Sequence, residues 1–302
     1  MKTPISVIFL VISAVLVSYA ALPAFADSGE TLPPGIVSKA EPKTFLEGVA
    51  KINATPAFFK ALAEQPDVGP VINLNLLRCR PRHDCTVYNK YGAVAGVGIV
   101  GVGGDIILHA EGVTDENKIF GFSDEWDAIA YAMYPSRGAY QQLQRDVDYQ
   151  EGIKDRVAGT YERMLYVLSD GDAIYDTKGS ITNYHKTNTR VPFDDGNVVV
   201  TDFLCFKKDG GRKEYEKFAK LVVPMLTQAG GEVVLSVRAE IPIVSEEYWD
   251  HFVSFRFPSK KAMKDLYQTT EYTAINIHRL NALDGSLVVL GRPTKMPAKP
   301  TN

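Results

Sequence analysis

The sequence predicts an α+β fold made of two tandem β-α-β-β-α-β units. Three observations carry this. The chain repeats itself at two constant offsets. Each copy alternates short apolar runs of strand length with longer segments of helical spacing. A polar stretch rich in Asp, Thr, Asn and Gly, about residues 169–197, separates the copies.

The repeat is read residue against residue. Val71–Leu77 aligns with Val198–Leu204, Tyr88 and Tyr91 with Tyr215 and Phe218, and Gly103-Gly104-Asp105 with Gly230-Gly231-Glu232. All share the offset of 127 that separates Asn75 from Asp202. Four extra residues in the first copy then reset the offset to 123. It holds for Trp126 with Trp249, Pro135-Ser136 with Pro258-Ser259, Tyr149 with Tyr272, and Arg156 with Arg279. Chance does not keep two offsets over this many rare residues, so the chain is a duplication.

Each element follows in order. Residues 1–26 read as a secretory signal peptide. One Lys precedes an apolar run from about Ile5 to Leu22, and Ala24-Phe25-Ala26 marks the cleavage point. An uncleaved anchor is the alternative, since the run approaches spanning length. The protein is therefore expected to be exported, periplasmic or secreted, with no membrane segment once the signal is cleaved. Residues 27–68 form an extension with one helix in 43–65, its apolar side set by Phe45, Phe58, Phe59 and Leu62.

The first copy spans 69–168 and the second 198–291. Residues 71–78 and 198–206 are bounded apolar runs, hence strands. Residues 212–228 carry Tyr215, Phe218, Ala219, Val222 and Leu226 at helical spacing, so 86–100 is the matching helix. Residues 104–111 and 231–238 alternate as strands, and 126–134 and 249–257 are strands ending at Pro-Ser. The Ser is an N-cap for a second helix. Met164–Leu168 and Leu287–Leu290 are the last strands. This order is the split-βαβ, ferredoxin-like unit. Residues 292–302, rich in Pro and Lys, read as a disordered tail.

Gly96-Val97-Gly98-Ile99-Val100-Gly101 is a literal G-x-G-x-x-G. A dinucleotide loop needs a strand before it and a helix opening after it. Here a helix precedes and a strand follows, and the second copy has Val223-Pro-Met-Leu-Thr-Gln228 with no glycine. The glycines read instead as packing positions. The formal charge is −3 with no basic cluster, which argues against nucleic acid as a partner.

Three cysteines are present. Export permits a disulfide, and Cys79-Arg-Pro-Arg-His-Asp-Cys85 could close on itself. Two free thiols, or a zinc set of Cys79, His83 and Cys85 lacking its fourth ligand, are the other readings. Cys205 lies in an apolar strand as a buried thiol.

The strings Gly69–Arg78, Tyr88-x-x-Tyr91, Gly103-Gly104, Trp126…Tyr134-Pro-Ser136 and Asp148-Tyr149, repeated in the second copy, resemble the DUF1330 family. The resemblance implies the dimeric α/β-barrel superfamily, which includes antibiotic-biosynthesis monooxygenase-like, haem-degrading and chlorite-dismutase-like proteins. It implies fold and no catalytic residues. Two tandem ferredoxin-like units would then pack sheet to sheet as an intramolecular dimeric α/β barrel, a monomer with an internal pseudo-two-fold. Strand 126–134 fits, with Ala128, Ala130 and Ala132 on one face and Ile129, Tyr131 and Met133 on the other.

Simple alternation assigns the faces. Ile106, Leu108, Ala110 and Val233, Leu235, Val237 are expected to face the helices. His109, Glu111, Ser236 and Arg238 would then face the barrel, together with Asn73, Asn75, Asp202, Tyr131, Ser254 and Arg256. His109, Arg238, Tyr131, Asn75, Asp202 and Arg256 are the candidate ligand-binding residues. His109 leads, as a base near neutral pH, because the second copy has Ser236 in its place. Arg238 could hold an anionic oxygen, or pair with Asp202 as a structural ion pair. His251 reads as a surface or satisfied residue. Two function classes follow: a binder, or cofactor-free enzyme, for a small, partly apolar molecule; or a non-catalytic envelope module acting through protein contacts. No cofactor or metal is predicted. Haem on His109 is a further alternative, with no C-x-x-C-H motif to attach it.

Overall fold

The computed structural model describes residues 60, 62, 64, 69–113, 122–123, 125–169, 174–175, 184, 190–244 and 249–295. The signal peptide, Phe45, Phe58, Phe59, most of the linker and the last seven residues lie outside the described residues. Leu62 is described and is buried in the helix-side core of the first half.

The first half runs β1 (Val71–Cys79), α1 (Thr86–Gly101), β2 (Asp105–Gly112), β3 (Ala128–Tyr134), α2 (Arg137–Leu143), α3 (Val147–Ala158) and β4 (Thr160–Ser169). The second runs β5 (Val198–Phe206), α4 (Gly211–Gln228), β6 (Glu232–Val244), β7 (His251–Phe257), α5 (Lys260–Tyr267), α6 (Thr270–Ala282) and β8 (Leu283–Pro293). The expected second helix is thus two helices in each half. Asp146 and Thr269, at equivalent positions, cap the second piece by accepting from Tyr149 N and Tyr272 N. Ser136 and Ser259 cap the first piece through Ala139 N and Ala262 N, each at 3.1 Å.

Other local solutions repeat as well. Gly103 and Gly230 follow α1 and α4 with φ of 78° and 75°, the left-handed turn that ends a helix without a Cβ clash. Asp127 Oδ2 accepts from Cys79 N and Asp250 Oδ2 from Phe206 N, both at 2.7 Å. The halves share their turn and cap chemistry, not only their hydrophobic pattern.

The strands form one closed barrel in the order β1-β3-β2-β8-β5-β7-β6-β4, with every neighbouring pair antiparallel. The two four-stranded sheets therefore join edge to edge through β2·β8 and β4·β6. Closure leaves no free sheet edge. This extends the strands beyond expectation. β6 continues to Val244 alongside β4. β8 begins at Leu283 and reaches Pro293, which pairs with Ala110, so residues 292–293, read as tail, are strand.

The barrel interior is packed with buried apolar side chains. Phe203, Phe252, Trp249 and Tyr166 stack inside it, with ring centroids 4.8–5.9 Å apart. Each such side chain contributes about 1.5–3 kcal/mol by leaving water. Linker residues close one end. Tyr184 donates to Asp105 Oδ2 at 2.6 Å and Arg190 Nε donates to the same oxygen at 2.8 Å. The helices cover the outside of the barrel over two further apolar clusters, one per half. The G-x-G-x-x-G lies inside α1, where a Cβ on Gly98 would fall 2.5 Å from Leu143 of α2. It is a packing device.

Cys79 and Cys85 are bridged, with Cα atoms 5.1 Å apart. This removes the zinc reading, because a disulfide sulfur is no longer a thiolate ligand. Cys205 is the remaining thiol, part-buried, its pKa pushed up to about 11 by burial and by nearby Asp250 and Asp284. Thiol titration of unfolded, unreduced protein should find one reactive cysteine. Three would exclude the bridge.

Candidate functional site

The barrel interior does not gather the expected residues. Both β2 and β6 carry a β-bulge, between Ile106 and Leu108 and between Val233 and Leu235. A bulge adds one residue and reverses every side chain after it. Ile106 and Val233 face the helices as expected, but Leu108, Ala110, Leu235 and Val237 point into the barrel. His109, Glu111, Ser236 and Arg238 consequently turn outward, opposite to the expectation. His109 Nδ1 is 2.8 Å from Thr294 Oγ1 beyond β8. Burial lowers its pKa. Arg238 is half-exposed beside Glu240, so it does not pair with Asp202.

In β1 and β5 the inward residues are Ile72, Leu74, Leu76, Val199 and Phe203. Asn73, Asn75 and Asp202, expected inside, alternate to the helix side. Tyr131 and Ser254 do face inward, with Thr201. The Tyr131 hydroxyl lies 2.9 Å from Ser254 Oγ, and Thr201 Oγ1 lies 2.9 Å from the same atom. These groups satisfy one another inside the core. Arg256 sits at a barrel end, 2.7 Å from Glu232 and over the Phe193 ring. The six candidates therefore occupy separate places.

A concave feature lies elsewhere. A cavity of about 230 Å³ lies in the second half between the outer face of β5, β7 and β8 and the helices α4–α6. Of the six candidates only Asp202 lines it. Its apolar wall includes Phe218, Val222, Phe255, Phe257 and Leu266. Phe122, from the β2–β3 connection of the first half, completes it and meets Tyr267 edge to face, centroids 6.0 Å apart. Backbone bonds hold this segment to β8: Val113 N to Leu290 O at 2.9 Å and Ser123 N to Val288 O at 2.8 Å. The site in one half is thus finished by the other.

The polar wall comes from α6. Arg279 forks onto Asp202, Nε to Oδ2 at 2.7 Å and Nη2 to Oδ1 at 2.8 Å. Ser286 Oγ donates to Oδ1 at 2.8 Å and also accepts from Arg279. Asp202 holds Arg279 firmly charged, the carboxylate more than offsetting burial. Asn276 Oδ1 is buried with no hydrogen-bond partner among the described residues. The Tyr272 phenol is pushed up to about 12 by burial and stays protonated, a donor. The cavity thus presents a fixed ion pair and a phenol against an aromatic wall, with Asn276 among its lining residues. Sequence reasoning missed Arg279, Tyr272 and Asn276. The signal for the first two was the repeat itself, which keeps them as Arg156 and Tyr149.

The first half fills the equivalent layer. Tyr91 stands where Phe218 does, and its hydroxyl is 2.8 Å from that of Tyr149. Gly152 of α3 faces α1, where a Cβ would make ordinary contact with Tyr91 and Val94 at 3.5–3.6 Å.

A Rhodopseudomonas palustris protein of unknown function is 30% identical over 39% of this chain and 94% of its own, with TM-score 0.34. An anthrone oxidase-like protein is 9% identical over 76% of this chain and 92% of its own, with TM-score 0.47. A mutant chlorite dismutase from Candidatus Nitrospira defluvii is 10% identical over 74% of this chain and 92% of its own, with TM-score 0.37. No curated protein matches. DUF1330, a domain of unknown function, matches residues 210–292, from the start of α4 to the end of β8. With the barrel closed by its two halves, the chain belongs to the DUF1330 family, as a dimeric α/β barrel folded from a single polypeptide.

Proposed function

We propose that the protein is an exported binder of a small, planar, partly apolar molecule, held in the cavity under α4–α6. The observation that carries this is Asn276 Oδ1, an unused acceptor at an aromatic cavity beside a fixed guanidinium. A buried polar atom without a partner costs about 1–3 kcal/mol. A ligand hydroxyl or amide N–H would remove that cost. The volume exceeds the roughly 150 Å³ that admits benzene, so one or two rings fit. The apolar run from about Ile5 to Leu22, followed by Ala24-Phe25-Ala26, supports export.

Titration with phenol, 1-naphthol and 2-naphthol, followed by intrinsic fluorescence, tests the reading. Binding is expected, with Asn276→Leu weakening it by about fivefold, one hydrogen bond. Val222→Phe should abolish it by filling the space while the thermal midpoint holds. Failure of all three compounds, together with no small molecule co-purifying by native mass spectrometry, overturns the reading. It would then favour a protein-docking module, the role that exposed Leu221, Ile277 and Leu280 on α4 and α6 support.

A further inference from the structure

Under their helices the two halves share a triad of side chains and differ in one oxygen. In the first half Arg156 Nη1 donates to the hydroxyl oxygens of Tyr91 and Tyr149, at 3.0 and 3.3 Å, and the two hydroxyls lie 2.8 Å apart. In the second half Arg279 stands for Arg156, Tyr272 for Tyr149 and Phe218 for Tyr91. The rings keep their arrangement. Tyr91 and Tyr149 meet edge to face with centroids 5.7 Å apart, and Phe218 and Tyr272 do so with centroids 6.2 Å apart. Phe218 thus keeps the ring and omits the oxygen.

That omission leaves two donors without an acceptor. Arg279 commits three of its five N–H bonds: Nε and one hydrogen of Nη2 to Asp202, the other hydrogen of Nη2 to Ser286. Nη1, whose counterpart holds Tyr91, has no hydrogen-bond partner among the described residues. Nor has the Tyr272 hydroxyl, which burial keeps protonated. Phe218, Tyr272 and Arg279 all line the cavity of about 230 Å³, so open space adjoins the triad that lacks its oxygen. Both unused groups donate, so the missing oxygen must accept twice. A carbonyl has two lone pairs and no proton of its own to place. Asp202 already cancels the Arg279 charge, so a ligand carboxylate would bring an uncompensated charge under the helices.

We propose that the cavity takes a neutral aromatic carbonyl compound, whose oxygen stands where the first half has the Tyr91 hydroxyl and accepts from Arg279 Nη1 and the Tyr272 hydroxyl. This rests on the reading of the cavity as a small-molecule site and names the class it takes. Acetophenone, ethylbenzene and benzoate test it on the full chain, with dissociation constants read by ligand-observed NMR. The first two match in size and differ in the oxygen. Acetophenone is expected to bind about tenfold tighter than ethylbenzene, through its added hydrogen bonds. Benzoate should bind more weakly than acetophenone. Tyr272→Phe removes one donor and should cut the preference to about threefold, with ethylbenzene unchanged. Phe218→Tyr restores the oxygen of the first half. Its thermal midpoint should rise by about 2–4 °C, and the preference for acetophenone should vanish. Equal affinities for acetophenone and ethylbenzene in the wild type overturn the proposal and leave the cavity a binding site. Tighter binding of benzoate does the same, as does a preference that both variants leave intact. Absence of binding by all three compounds overturns the small-molecule reading as well.

Discussion

Arg279→Met is expected to cost about 3–5 kcal/mol of stability, the usual loss when one partner of a buried ion pair is removed. The Arg279 and Asp202 side chains are 13% and 5% exposed. The substitution leaves Asp202 under the helices with Ser286 as its remaining partner in this network. Most of the loss is therefore the cost of an uncompensated carboxylate, not the worth of the pair. The double variant Arg279→Met, Asp202→Asn should recover much of it, since it removes the stranded charge. Urea unfolding reads both, as a lower midpoint with unchanged slope. A loss below about 1 kcal/mol for Arg279→Met would show a pair screened by solvent, and the fixed guanidinium assigned to the cavity would go with it.

The duplication and the element order were legible because they rest on spacing, and spacing survives in the sequence. Cap residues Ser136 and Ser259 were legible for the same reason. The faces of β2 and β6 were not, because one added residue inverts them. The evidence was present: Ile106-Ile107-Leu108 and Val233-Val234-Leu235 each place three apolar residues in a row, breaking the period of two at the same point in both copies. Edge-to-edge closure of the barrel was hidden, since the contacts of β8 with β2 and of β6 with β4 join residues far apart in sequence. The cavity was hidden for a related reason. Asp202 and Arg279 lie 77 residues apart. Only the repeat marks Arg279, and it marks Arg156 equally, although Arg156 lies in a layer filled by tyrosines. Duplication locates the position. The side chains around it decide whether space is left.

Stability should fall with acid between pH 6.5 and 3 through His251. Its side chain is fully buried at the start of β7, not on the surface. Ser236 Oγ, which accepts from Ile174 N at 3.1 Å, lies 3.0 Å from His251 Nε2. The hydroxyl and the neutral imidazole share this one bond, and Nδ1 has no hydrogen-bond partner among the described residues. Burial is the main force against a charge here, reinforced by Arg212 and Arg238, and the pKa drops to about 3. In the unfolded chain the same ring takes a proton near 6.5. Between those values the unfolded state binds one proton more, so folding weakens as pH falls, by up to about 1.4 kcal/mol per pH unit. Above pH 6.5 the contribution is complete and flat. Carboxylates titrate mostly below pH 4.5, so urea unfolding from pH 7.5 to 4.5 isolates the histidine contribution, to which His109 adds with the same sign. His251→Phe keeps a ring in the space and has nothing to protonate. Its slope with pH should be shallower than that of the wild type by close to one proton. Parallel slopes would mean that His251 takes its proton in the folded state, and that the Ser236 contact does not hold it neutral.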